Sequence, residues 1–522
     1  MSRTDSENTV KPKSDASYRH VIKYTGLFGG VQGIIMLVHL IRNKIAAVLL
    51  GPAGIALVSI YNKVSNLISQ ATNFGISFSA VKHIAELNES EDRTEIERYV
   101  CVVRSWCMLT ALLGMLVMMV LASQLSLLTF ENYDYTWQFV CLSPFVGLLA
   151  LTGGEVAILK GLKQLKQIAL ISVMTALSTL LICTSLYYFF EEDGIIPALL
   201  LTAIAILGIN LRYSTKVVSW RTSLTSMKTL AMGLPMVRLG VAYIIAGIFG
   251  QGADWCINVM MLHDGSLTDV GLYYSGYTLM TSYASVVFLA IEADFFPRLS
   301  GAVKNPLRQN YIINQQIEVC SLLTAPLLIL FVFGMPILLQ LLYSSKFIDA
   351  VPMAICASIY MFFKVHTTPL AYLSLANGDS KIYMIAELLY DLFVVAAIPF
   401  AFRNWGLMGA GLALSVAGVF DFILIHVFYH FKYKFVLNWK RTWYLYTIQL
   451  VLLLVTVYCS LELPLFQKLS IALIALICSL SLSIYRINKE TTFLSQLKKR
   501  FRKKFTIDNS PERCPERRQA ER

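Results

Sequence analysis

Residues 26–61 run GLFGGVQGIIMLVHLIRNKIAAVLLGPAGIALVSIY, and the fold follows from how this stretch divides. From Gly26 to Leu50 it is apolar apart from Gln32 and a polar group at His39, Arg42, Asn43 and Lys44. That run exceeds the ~20 residues a helix needs to cross a bilayer. Gly51-Pro52 then interrupts it, because Pro52 has no N–H to give and biases Gly51 away from helical angles. Two helices therefore meet at a tight turn. A charged side chain at membrane depth costs on the order of 2.5–3.5 kcal/mol on insertion scales, and persists where it faces a bundle interior or a water-filled cavity. At helical spacing Thr25, Gln32, His39 and Arg42 with Asn43 fall along one side of the first helix. The second helix carries Ser59, Asn62, Lys63, Asn66, Ser69, Gln70, Asn73 and Ser77 as a polar stripe. Both helices are expected to turn a wet face inward.

The rest of the chain repeats the theme. Hydrophobic residues make up 56% of the 522, charged residues only 15%, and apolar runs of spanning length recur from end to end. The fold class is an all-α polytopic membrane protein. About fourteen spans are expected at bilayer length. They begin with 22–49 and 54–82, include 229–250, and close with 442–461 and 466–486. With the amino terminus in the cytoplasm, the inner loops hold groups such as Lys160, Lys163 and Lys166, or Arg212, Lys216 and Arg221, while the outer loops hold little beyond Lys346, Arg403 and Lys468. The positive-inside rule then puts both termini in the cytoplasm. The net charge of +12 sits in these inner loops and in the tail run Lys498, Lys499, Arg500, Arg502, Lys503 and Lys504. It anchors topology and meets membrane lipid headgroups, with no call for nucleic acid. The ten cysteines are scattered through the apolar runs without a Cys-x-x-Cys, which fits small core residues and no metal site.

A weak internal repeat organises the spans. A shift of 217 residues lays Gly54 on Gly271, Gly161 on Gly378 and Gly194 on Gly411, and places spans one to six over spans seven to twelve. The expected layout is a cytoplasmic tail at 1–20, a six-span lobe at 21–214, a linker at 215–228, a second lobe at 229–431, two extra spans within 442–486 and a basic tail at 487–522. Six is even, so the lobes form a parallel repeat about an axis along the membrane normal, with a cavity expected between them.

Four stretches carry a family resemblance: Leu50-Gly51-Pro52-Ala53-Gly54-Ile55-Ala56-Leu57, Asn73-Phe74-Gly75-Ile76-Ser77, Ala293-Asp294-Phe295-Phe296-Pro297-Arg298-Leu299-Ser300 and Asn377-Gly378-Asp379-Ser380-Lys381. In this order, and over roughly residues 20–431, the chain resembles the Wzx-type flippases for O-antigen and other polysaccharides, within the multidrug/oligosaccharidyl-lipid/polysaccharide (MOP) exporter superfamily. Its look is nearest the lipid III flippase branch. The pair of spans after Val436 departs from the twelve-span members. The resemblance implies a MATE/MurJ-like fold and a non-enzymatic role, without a cofactor. It implies transport of an undecaprenyl-pyrophosphate-linked oligosaccharide across a bacterial inner membrane, alongside polysaccharide polymerase and chain-length machinery.

Such a substrate makes sense of the cations. Pyrophosphate brings at least two negative charges, which Arg holds through a planar fork and Lys as a point charge. Arg42, Lys63 and Lys364 are the candidate cations, with His39, Asn62, Asn66 and Asn73 as polar wall. Against this stand snorkelling of Arg42 and Lys44 to the outer interface and a structural ion pair for Lys364. Glu387 and Asp391, one helical turn apart, and Asp421 are candidates for ion coupling, with charge balance against Lys364 or Arg238 as the alternative. Glu155 and Glu292 are expected to partner inner-loop arginines, and Asp254, His263, Asp264 and Asp269 to lie in an outer loop. No Gly-x-x-x-x-Gly-Lys-Ser/Thr phosphate loop is present, which speaks against ATP-driven pumping. No outer loop is long enough for a catalytic domain, which speaks against a membrane glycosyltransferase or polymerase. A cation-coupled multidrug exporter, the other transporter alternative, calls for a carboxylate on the first span, and Gly26–Leu50 has none.

Overall fold

The computed structural model describes residues 14–89, 92–223, 227–438 and 444–490. Among these residues the chain is all helix, with no strand. The helices are α1 (Ser14–Asn73), α2 (Ile76–Glu89), α3 (Arg93–Phe130), α4 (Thr136–Gly161), α5 (Leu165–Phe190), α6 (Ile195–Val217), α7 (Met227–Asp264), α8 (Leu267–Ser300), α9 (Pro306–Leu342), α10 (Val351–Ala376), α11 (Ser380–Tyr433), α12 (Tyr444–Glu462) and α13 (Leu465–Glu490). Two of them are bent pairs. α1 turns at Gly51 (φ 67°, ψ −172°), just before Pro52, and α11 turns at Gly406 (φ 62°, ψ −152°). Glycine tolerates both conformations because it has no Cβ. Divided at these bends, and with α2 counted as the end of the second span, the helices fall into the fourteen expected segments. Nine stretches of the described residues are long and apolar enough to cross a membrane, and three of them, Val31–Asn73, Leu165–Val217 and Lys381–Tyr433, are long enough for two passes each.

The second span is not continuous over 54–82. It breaks at Phe74 (φ 50°) and Gly75 (φ 65°) before resuming as α2. The reason is a backbone crossing: a Cβ at Gly75 would run into the main chain of Gly240 in α7, and one at Gly240 into that of Phe74 and Gly75.

The chain forms two compact units. The first takes in the described residues up to Ser282, with Met335–Tyr360 and Asp379–Phe420. Its apolar core on the α2, α3 and α4 side joins Ile76, Ala80, Ile84, Val100, Val103, Ala157, Ile158 and Met236. Set among these is an ion pair. Arg104 donates to both Glu155 oxygens, Nε to Oε1 at 2.9 Å and Nη2 to Oε2 at 3.1 Å, with side chains 1% and 3% exposed. The arginine also donates to the carbonyls of Val218 (3.3 Å) and Ser219 (2.8 Å), which end α6, and lies 4.7 Å from the Trp220 ring. Arg104 is thus within α3 rather than in a loop, and it is the partner Glu155 was expected to find. The side chain of Glu292, like the basic tail, lies outside the described residues.

The second unit comprises Tyr283–Gly334, Met361–Gly378 and the chain from Asp421 onward. Here the two extra helices are joined to the rest by polar contacts. Gln449 of α12 donates to Ser483 Oγ of α13 at 3.2 Å and accepts from Ser479 Oγ at 2.5 Å. Arg486 of α13 pairs with Glu318 of α9 at 2.9 Å, with side chains 17% and 7% exposed. Tyr446 of α12 packs its ring 3.7 Å from His366 and 4.6 Å from Phe362, both on α10.

Candidate functional site

Within the first unit a cavity of about 760 Å³ opens between the two arms of α1 and helices α4 to α8. The first arm contributes Gln32, His39, Arg42 and Asn43, and the second Ser59, Asn62, Lys63 and Asn66. These are the two wet faces, and the bend at Gly51-Pro52 sets them side by side. Facing the cavity from α4 to α6 are Thr152, Ser172, Thr175, Thr179 and Thr202, with Gln251 and Asp254 from α7 and Tyr274 from α8.

The cations differ in their surroundings. Arg42 Nη2 donates to its neighbour Asn43 at 3.1 Å, and among the described residues no carboxylate pairs with it. Lys63 Nζ donates to the carbonyl of Asp254 at 3.4 Å and to Asn258 Oδ1 at 3.3 Å, 6.0 Å from the Tyr274 ring. Both acceptors are neutral, and the Asp254 carboxylate lines the same cavity. Lys44 takes a different course and donates to Gln340 O at 2.7 Å, away from the cavity.

Other candidates lie elsewhere. Asn73 is not in the lining; it donates to Ser77 Oγ at 2.9 Å next to the Phe74-Gly75 break. Lys364 and Asp421 are in the second unit and meet each other at 3.3 Å, with Thr367 Oγ1 also donating to Asp421 Oδ2 at 2.8 Å. A candidate for substrate and a candidate for ion coupling are thus one ion pair. Glu387 and Asp391 are half-buried on α11 in the first unit. Asp391 Oδ2 would lie 3.8 Å from a Cβ on Gly250 of α7, adjacent to the cavity residue Gln251.

One expectation is corrected. Asp254 is not in an outer loop but inside α7, which continues to Asp264, and it lines the cavity. The helix outlasts its apolar run because a wall facing a wet cavity has no need of apolar residues. His263 and Asp264 are likewise the last residues of α7 and pair with Glu131 (3.4 Å) and Arg403 (3.8 Å). The hydroxyls of α5 carry no charge to mark them in the sequence, where the signal is the recurrence of Ser172, Thr175 and Thr179 at helical spacing.

Residues 45–352, which hold most of this cavity, match the family model described as polysaccharide biosynthesis protein. The chain belongs to that family. No curated protein matches it by sequence. Solved structures show the fold that this polysaccharide biosynthesis protein adopts. The lipid II flippase MurJ in an inward closed conformation superposes with a TM-score of 0.67 at 14% identity, over 89% of this chain and 99% of that one. An inward-facing multidrug resistance MATE family transporter of the MOP superfamily gives 0.62 at 14% identity, over 75% and 94%. A MOP superfamily transporter from Pyrococcus furiosus gives 0.52 at 14% identity, over 76% and 94%. The polysaccharide biosynthesis protein is therefore a multi-pass membrane protein with the fold of the MOP exporters.

Proposed function

We propose that this protein is a flippase that carries an undecaprenyl-pyrophosphate-linked oligosaccharide, an O-antigen or related repeat unit, from the cytoplasmic to the periplasmic face of a bacterial inner membrane. The observation that carries this is Arg42: a cation without a carboxylate partner among the described residues, in a polar cavity it shares with Lys63. A partly buried charge within a spanning helix is costly unless a ligand of opposite charge completes it. A pyrophosphate does so, and a planar guanidinium is suited to two of its oxygens at once. A cationic drug would meet Arg42 and Lys63 with Asp254 as the one carboxylate in the lining, so a multidrug exporter is the weaker reading. Alternating access of the lobes 21–214 and 229–431 would expose the glycan to each face in turn while the prenyl chain stays in lipid.

Deletion of the gene tests this. The expected result is complete lipid-linked glycan stranded on the cytoplasmic face. An altered or missing glycan would point instead to a biosynthetic enzyme.

Coupling to an ion gradient is proposed for Glu387 and Asp391. A charge moved across 100 mV is worth about 2.3 kcal/mol, enough to bias a two-state cycle. Asp421 is paired with Lys364 in the second unit, outside the cavity lining. In vesicles with an imposed proton or sodium gradient, Glu387→Gln with Asp391→Asn should lose the response of translocation to the gradient while still binding substrate. A double variant that responds like the parent returns the pair to a structural role.

A further inference from the structure

The α5 wall of the cavity has a chemical polarity of its own. Ser172, Thr175 and Thr179 stand at i, i+3 and i+7, and all three line the cavity. Each hydroxyl donates along its own helix: Ser172 Oγ to Ile168 O at 2.9 Å, Thr175 Oγ1 to Ser172 O at 3.0 Å, and Thr179 Oγ1 to Thr175 O at 2.8 Å. A hydroxyl has one proton and two acceptor lone pairs, so with the proton spent these side chains have only acceptor capacity left. Asn62, on the second arm of α1, spends one of its two amide protons on Val58 O at 2.8 Å and keeps Oδ1 as a further acceptor. Ser59, also in the lining and 3% exposed, has an Oγ with no hydrogen-bond partner.

The row shares its cavity with the cations: α5 packs against α1, and Arg42, Lys63, Ser172, Thr175 and Thr179 all line it. Anionic oxygens gain nothing from such a wall, whereas a group rich in O–H and N–H donors does.

We propose that Ser172, Thr175 and Thr179 seat the sugar next to the pyrophosphate and accept hydrogen bonds from its hydroxyls or acetamido N–H. This rests on the flippase reading and adds to it where, and with which polarity, the glycan is recognised.

The test uses the full-length protein in lipid nanodiscs and two probes, undecaprenyl pyrophosphate and undecaprenyl-pyrophosphoryl N-acetylglucosamine. The parent should bind the sugar-bearing probe more tightly. Ser172→Ala with Thr175→Val and Thr179→Val should weaken binding of that probe about ten-fold and leave the bare pyrophosphate within about two-fold. Thr175→Ser with Thr179→Ser, which keep the acceptor oxygens, should retain the sugar preference. A parent without preference, a triple variant that keeps it, or equal loss for both probes each overturns the proposal. Arg42→Ala separates it from the reading beneath it: that change should weaken both probes, and if it weakens neither, the flippase cavity itself is wrong whatever α5 shows.

Discussion

Arg42→Ala will cut translocation of a lipid-linked glycan about ten- to hundred-fold, the loss expected when a hydrogen-bonded contact between charged groups disappears. The protein should still insert at normal levels. Arg42 makes a single hydrogen bond to an adjacent side chain and no ion pair among the described residues, so little of the packing depends on it. Arg42→Lys should recover part of the rate, because an ammonium restores the charge but not the bidentate geometry. The measurement is flux of a labelled lipid-linked oligosaccharide in reconstituted vesicles, checked against surface-glycan export in cells. Full export by the alanine variant would make Arg42 an interfacial anchor and remove the chief support for the proposed substrate.

The largest effect on stability is expected at the buried pair of the first unit. Arg104→Ala leaves the Glu155 carboxylate in the core with no cation, and breaking a buried pair from one side costs about 3–5 kcal/mol. Glu155→Ala should cost less. The arginine left behind keeps the carbonyls of Val218 and Ser219 and the face of Trp220. Arg104→Met with Glu155→Leu should regain much of the loss, since apolar replacements of similar volume do not leave a charge stranded. Thermal unfolding in detergent will order the variants. Equal losses for the two single changes would mean that the contacts to the end of α6 contribute nothing.

How much of this was legible in the sequence depended on the range of the physics involved. The Gly51-Pro52 turn could be read because proline lacks an N–H wherever it stands. Arg42 and Lys63 could be read because a charge in an apolar run must be accounted for within that run's own surroundings. Asp254 could not, because hydropathy registers contact with lipid, and α7 continues as helix where it borders the cavity instead. The pairs Lys364–Asp421 and Arg104–Glu155 join residues 57 and 51 positions apart, and nothing local to either member names the other. The α5 hydroxyls show in the sequence as spacing alone, and a serine or threonine in a span usually satisfies itself on its own helix. These three do that too, and their leftover lone pairs become meaningful only once a cavity is seen beside them.

The crossing of Gly75 and Gly240, where main chain meets main chain, would serve as the fulcrum of any tilt of α7. Gly240 divides α7, Met227–Asp264, unequally. At ~1.5 Å per residue the arm toward Met227 is about 20 Å long and the arm toward Asp264 about 36 Å. A tilt about this point therefore sweeps the far tip, with its His263 and Asp264 contacts, through nearly twice the arc of the near one. Asp254, partway along the long arm, is carried with it. A small adjustment where α7 begins would be magnified at the cavity wall and again at the far end of the helix, and bulk added at either glycine would jam the pivot without touching the cavity.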